Sequence, residues 1–276
     1  MNSLEIKNKA DILYQKNKEQ MIPHFFFVGY ISLLAQYLQS GFFSFFVSIF
    51  LCSIAHGYVK CAMKLVNGDD PKLTINDSMV GILEFTRVFP VYFVRKVLII
   101  GIVGLSILPT ILSFTYISPL FTWDWISMAG NSLIRAELFI PDKNIVLPLM
   151  QNMPLLTNLI LSSILYLLLN AFFSFMPYIM EEEEFSWNEA LVRSFKMMKG
   201  RLWRMLQLYT VYAPRYIIYW LFVGSIALLL GDINEVLMLI CLVTSLFIYI
   251  DVIKGRIEIA KYMLYKDFIR EEHEDE

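Results

Sequence analysis

Histidine and cysteine, the residues that most often carry metal or thiol chemistry, occur only three times each in this chain of 276 residues. No C-x-x-C, H-E-x-x-H or G-x-S-x-G is present, and no Gly-rich loop that would cradle a phosphate. The usual signatures of zinc hydrolases, thiol oxidoreductases, serine esterases and P-loop enzymes are therefore missing. The expectation is a protein with no catalytic residue, no cofactor and no metal. Charge is scarce too: Asp, Glu, Lys and Arg make up 17% of the chain and sum to −2. No nucleic-acid partner is expected from that balance.

What fills the chain is apolar surface. Hydrophobic residues reach 57%, aromatics 15%, and the mean hydropathy is +0.57, outside the range of ordinary soluble domains. Continuous apolar runs predict an all-α polytopic membrane bundle rather than a barrel, whose strands would alternate. Six spans are expected in a single membrane domain, 1–276, as three hairpins: about 22–39, 41–59, 97–118, 155–180, 205–230 and 236–253. Residues 1–20 form a cytoplasmic helix, 119–154 an external segment and 254–276 a cytoplasmic tail. Turns fall near "QSG" and "GDINE".

Orientation follows from the basic residues. With the N-terminus inside, 20 of the 23 Lys and Arg face the cytoplasm, Arg135 and Lys143 lie outside, and Arg215 lies within a span. Both termini are thus expected in the cytoplasm. The polar "MNSLEIKNKADILYQKNKEQ" does not read as a cleavable signal, so the first span would serve for insertion. Cys52, Cys61 and Cys241 sit in spans or at their inner ends, and no disulfide is expected.

In the middle stands "IMEEEEFSWNEALVRSFKMMKGRLWR" (179–204). Ser186 and Glu189 have capping-box spacing, which predicts a helix start. On its wheel Trp187, Leu191, Phe195, Met198, Leu202 and Met205 fall on one stripe, and Arg193, Lys196, Lys199 and Arg204 on the opposite face. That pattern predicts a helix lying on the membrane, its cations toward anionic headgroups. The four glutamates read as a solvated acidic loop before the helix N-terminus. Earlier, "NGDDPKLTINDSMVGI" (67–82) repeats the arrangement, with Thr74 and Asp77 at the same spacing. "GYVKCAMKL" (57–65) is echoed loosely by "GRIEIAKYML" (255–264). The chain reads as three units, each a cytoplasmic helix followed by a transmembrane hairpin.

These landmarks, with "LEIKNKADIL", "PYIMEEEEFSWNEALVRSFKMMKGRLWRMLQL" and above all "S-x-x-M-M-K-G" at Ser194 to Gly200, resemble a bacterial family of six-span integral membrane proteins of unassigned function. That family is YciC-like and loosely akin to the membrane domains of glycerophosphodiester phosphodiesterases. The resemblance implies a bacterial plasma-membrane location and a fold. It carries no catalytic residue, and the soluble domain a phosphodiesterase would need has no counterpart in these residues.

Polar residues inside the membrane remain. Arg215, after Pro214, is the basic residue left within a span, and Asp251 on the adjoining span is a candidate partner; together they form a candidate anion, lipid or intramembrane charge site. His24, His56 and Cys52 come to similar depth in a folded hairpin but lack a metal spacing, and read as interfacial residues. Asn170 reads as a helix-packing hydrogen bond, and Trp123 and Trp125 as interfacial anchors. The function expected is a non-enzymatic, permease-like or partner subunit of a transport, immunity or envelope-stress system. The alternatives are a stand-alone small transporter and a lipid-modifying membrane enzyme. Partners would be the anionic bilayer and a protein partner or second copy.

Overall fold

Asn2 caps the first helix through its side chain, and Glu5 reaches back to the Asn2 backbone, so a capping box opens α1 (Ser3–Lys16). The computed structural model describes residues 1–37, 51–68, 72–117, 153–230 and 235–275, and among these every regular element is helical. Asn17 ends α1 by returning its N–H to Leu13 and Tyr14, and α2 (Lys18–Tyr37) restarts at once. A 3-10 turn, Cys52–Ala55, leads into α3 (His56–Asn67), followed by α4 (Ile75–Leu83) and α5 (Phe85–Ile117). Then come α6 (Met153–Phe172), α7 (Met176–Glu182), α8 (Trp187–Met198), α9 (Leu202–Leu230) and α10 (Glu235–Tyr249). A π turn at Ile250–Lys254 joins α10 to α11 (Gly255–Asp275).

The three-unit grammar has a structural counterpart. Capping boxes open α1 at Asn2 and Glu5, α4 at Thr74 and Asp77, and α8 at Ser186 and Glu189. Each of these helices packs on another helix that carries charged residues: α4 on α3, α8 on α7, and α1 back on α11. The arrangement therefore closes on itself. Close approach is permitted by small residues, since a Cβ on Gly57 would lie 2.2 Å from Ser78 O and one on Gly255 would lie 2.3 Å from the Tyr14 ring. At the third junction Ser194 Oγ donates to Phe172 O at 2.8 Å.

One apolar core runs through these junctions, from Ile6, Ala10 and Tyr14 through Cys61, Phe175 and Met198 to Tyr262 and Phe268. Further along the helices the large side chains turn outward: Leu105 is 72% exposed, Leu161 59% and Leu221 65%. Two stretches among the described residues are long and apolar enough to cross a membrane, Phe85–Ser106 and Thr157–Glu182.

Several boundaries move. The third helix of the expected span set begins at Phe85 rather than at 97, because Glu84 ends α4 and the chain re-enters a helix one residue later, carrying Arg87, Arg95 and Lys96 onto it. The fourth breaks at 173–175 between α6 and α7, where Ser174 Oγ bonds back to Ala171 O at 2.8 Å. The expected stripe of α8 and early α9 divides: Met198 and Met205 are buried and Leu191 and Leu202 pack on the core, with Trp187 and Phe195 outside. The buried face of α8 is Ala190, Ser194, Met197 and Met198, while Trp187 and Phe195 are 45% and 49% exposed. The turns near 39–41 and 231–234, and the external segment through residue 152 with Trp123, Trp125, Arg135 and Lys143, lie outside the described residues.

Candidate functional site

The acidic run 181–184 is not a solvated loop but a junction of ion pairs. Glu181, whose side chain is 3% exposed, accepts from His56 Nε2 at 3.2 Å, Arg87 Nη2 at 2.7 Å and the Lys60 ammonium. Glu182 binds Lys266 Nζ at 2.6 Å and the Tyr262 hydroxyl. Glu183 accepts from Tyr265 OH at 3.2 Å. These glutamates end α7 where the other helices meet it: Glu181 faces α3 and α5, and Glu182 and Glu183 face α11. Glu184 then turns the chain with φ 52° and stays exposed.

The basic face of α8 and early α9 is likewise engaged within the protein. Arg193 pairs with Glu272 at 2.5 Å, and Arg204 with Glu271 at 2.5 Å and with Asp267, whose side chain is 2% exposed. Lys196 and Lys199 remain exposed. Of the four cations expected at the membrane surface, two are therefore turned toward α11, because α11 presents Asp267, Glu271 and Glu272 along the same side.

Arg215 and Asp251 do not pair with each other. Arg215 binds Asp11 through both terminal nitrogens, at 2.9 and 2.7 Å, and Arg256 Nη1 joins Asp11 at 3.2 Å. Asp251 accepts from Lys18 Nζ at 2.8 Å and from Tyr14 OH at 3.1 Å. Both contacts come from the N-terminal segment, whose return onto α11 places Asp11 beside the middle of α9 and Lys18 just past the end of α10. Burial favours the neutral Asp11 carboxyl, but Arg215 and Arg256 outweigh it and hold the group below its ordinary value.

His24 bonds Ser78 Oγ at 2.7 Å while His56 lies between Tyr92 OH and Glu181, so the two histidines serve separate contacts, and Cys52 is buried in the apolar core. No group of three metal-ligating side chains occurs among the described residues.

The most deeply set charges form a site that apolar-run counting passed over. On α11, Glu258 stands one turn from Lys254 and from Lys261, and accepts from their ammonium groups at 2.9 and 3.1 Å. Its second oxygen accepts from Tyr178 OH at 2.7 Å. Lys254 Nζ lies 4.7 Å above the Tyr58 ring, and Lys261 Nζ lies 6.0 Å from that of Tyr209. Arg95 on α5 donates to Asn170 on α6, which makes Asn170 the helix-packing hydrogen bond expected of it, with a cation as partner.

The charges fix one another's states. Burial alone would raise the Glu258 carboxyl, but Lys254, Lys261 and the Tyr178 hydroxyl hold it well below the usual range. Lys254 is raised: burial depresses it and Glu258 more than restores it. Lys261 is lowered, because burial, Lys254 and Arg95 together exceed the attraction of Glu258. The Arg95 guanidinium is thus close enough to act on both lysines. The spacing Lys254, Glu258, Lys261 was available in the sequence as a one-face triplet, but assignment to a cytoplasmic tail hid that α11 packs inside the bundle. No known protein family, curated protein or solved structure matches this chain.

Proposed function

We propose that the chain is an integral protein of a bacterial plasma membrane, crossing it six times with both termini in the cytoplasm. Its role is that of a non-enzymatic, permease-like or partner subunit of a membrane transport, immunity or envelope-stress system. The observation that carries the membrane reading is the low burial of the two apolar stretches: 28% and 33% of their windows are covered by the rest of the protein. A core helix of a soluble protein would be mostly covered. Exposed side chains such as Leu105, Ile164, Ile218 and Leu221 would instead meet lipid. The ion pairs of Lys60 with Glu181, Lys266 with Glu182 and Arg204 with Asp267, by contrast, gather where α3, α7, α9 and α11 meet, in keeping with one wet, cytoplasmic end.

The partner-subunit reading is supported by the closed arrangement of α1, α4 and α8, which pack on α11, α3 and α7 as one collar. Contact with anionic headgroups falls to Lys196 and Lys199, and a protein partner or a second copy completes the assembly; nucleic acid has no role in it. A stand-alone small transporter is the second reading, favoured by the charged interior around Glu258.

Topology is tested by cysteine labelling of intact cells in a background lacking Cys52, Cys61 and Cys241. Asn131→Cys should react with an impermeant maleimide, and Lys196→Cys only after the membrane is opened. The reverse pattern would overturn the orientation. A partner subunit should show no substrate flux in proteoliposomes by itself, and flux there would favour the stand-alone transporter.

A further inference from the structure

Two ammonium groups meet one carboxylate inside this bundle, a guanidinium on α5 acts on both of them, and the sum does not balance. Arg95, Lys254 and Lys261 bring three positive charges, and Glu258 brings one negative charge, leaving two in excess. In surroundings of low dielectric an uncompensated charge is expensive, so such an excess persists where an anion completes it. The donor count leads to the same place. An ammonium has three N–H groups and a guanidinium five, yet among the described residues the acceptors found for these three are Glu258 and Asn170. The Lys254 and Lys261 side chains keep 22% and 15% exposure, whereas Glu258 between them keeps 6%. The two lysine side chains therefore keep some access that the carboxylate between them lacks.

We propose that Arg95, Lys254 and Lys261 bind a phosphate-bearing anion, with Glu258 setting their spacing. Two excess charges match a phosphate monoester better than a single-charged carboxylate or chloride. Donors arriving from α5, the π turn and α11 suit an oxyanion with several oxygens. The ammonium ends of Lys254 and Lys261 lie 4.7 and 6.0 Å from the Tyr58 and Tyr209 rings, whose faces help to hold the two cations in place. The shared chemistry is a phosphate group; its source is a lipid headgroup or free phosphate. The inference does not depend on the number of spans or on the nature of a partner subunit.

The test is thermal unfolding of the full chain in detergent, followed by size exclusion and tryptophan fluorescence. Inorganic phosphate is titrated against chloride at matched ionic strength, and phosphatidate against phosphatidylcholine in mixed micelles. Stabilisation by phosphatidate alone assigns a lipid headgroup, and stabilisation by inorganic phosphate assigns the free anion. Loss of one charged hydrogen bond should raise the half-saturating concentration about tenfold or more in Lys261→Gln and in Arg95→Gln. Removing the competing carboxylate in Glu258→Gln should lower it. No stabilisation by either phosphate source overturns the site, as does an unchanged half-saturation in Lys261→Gln. Should the cation variants fail to elute as folded protein, Glu258→Gln decides: tighter binding supports the site, and equal or weaker binding overturns it.

Discussion

Arg215 holds both carboxylate oxygens of Asp11, Nη1 to Oδ1 at 2.9 Å and Nη2 to Oδ2 at 2.7 Å, and so fastens α9 to α1. The side chains are 25% and 18% exposed, which places the pair between a screened surface bridge and a fully buried one. Arg215→Leu should therefore lower stability by about 1–2 kcal/mol. Asp11→Asn should cost a similar amount, and the double variant less than the sum, in melts of the detergent-solubilised protein. Asp251→Asn combined with Arg215→Leu should be additive, since Asp251 is held by Lys18 and Tyr14. Coupling between Arg215 and Asp251 with none to Asp11 would refute this pairing.

Acid should weaken the same collar. Asp11, Asp77, Asp267 and Glu258 all lie below their ordinary values: burial opposes the charged form in each, and the cations and N–H groups around them prevail. A depressed folded value means that the unfolded chain takes up protons first, so these groups stabilise above the unfolded carboxyl value of about 4 and lose that contribution as pH falls through the folded values. Melting temperature should be flat from neutral pH to about 5 and then drop. Asp11→Asn should be less stable at neutral pH and show a shallower drop. A melting temperature that rises on acidification would contradict the sign.

The capping boxes offer a graded comparison. In one, Asp77 Oδ2 takes the Thr74 N–H at 2.7 Å and also Lys64 Nζ at 2.8 Å, tying α4 to α3. In another, Glu189 accepts the Ser186 N–H at 2.9 Å, and its carboxylate is exposed. Thr74→Ala should cost about 1 kcal/mol. Asp77→Ala should destabilise more than Glu189→Ala, because it also releases Lys64. Equal losses would show that the Lys64 contact contributes nothing.

Helix starts were legible because a capping box is local: Thr74 with Asp77 and Ser186 with Glu189 need nothing beyond their own spacing. Asn2 with Glu5 carries the same spacing and was within reach of the same rule. The all-helical class was legible from long apolar runs for a similar reason. Ion partners were not. Asp11 meets Arg215, and Glu182 meets Lys266, only because distant helices return to one collar, and no periodicity encodes that return. The division of the α8 stripe is not legible for a related cause: Met198 turns to the protein together with the narrow face of Ala190 and Ser194. That face fits against α7, whereas Trp187 and Phe195 are too large to lie there.

Small residues at that collar give the sharpest contrast for mutagenesis. A Cβ on Gly81 would lie 2.0 Å from Ser53 O and 2.6 Å from Ser53 C, both backbone atoms that cannot swing aside. On Gly57 it would lie 2.2 Å from Ser78 O. Gly81→Ala and Gly57→Ala must therefore push α4 away from the 3-10 turn and from α3, at a cost at or above the roughly 1–3 kcal/mol of ordinary overpacking. Gly101 lies inside α5 with nothing within 4 Å of the added carbon. Gly101→Ala should gain about 0.5–1 kcal/mol, since alanine loses less backbone freedom on entering a helix. The measurement is the yield and melting temperature of the three single variants side by side. Gly81→Ala and Gly57→Ala should give little folded protein, and Gly101→Ala should melt at or above the parent. A normal yield and melt for Gly81→Ala would mean that α4 does not sit on Ser53, and the collar as described would be wrong.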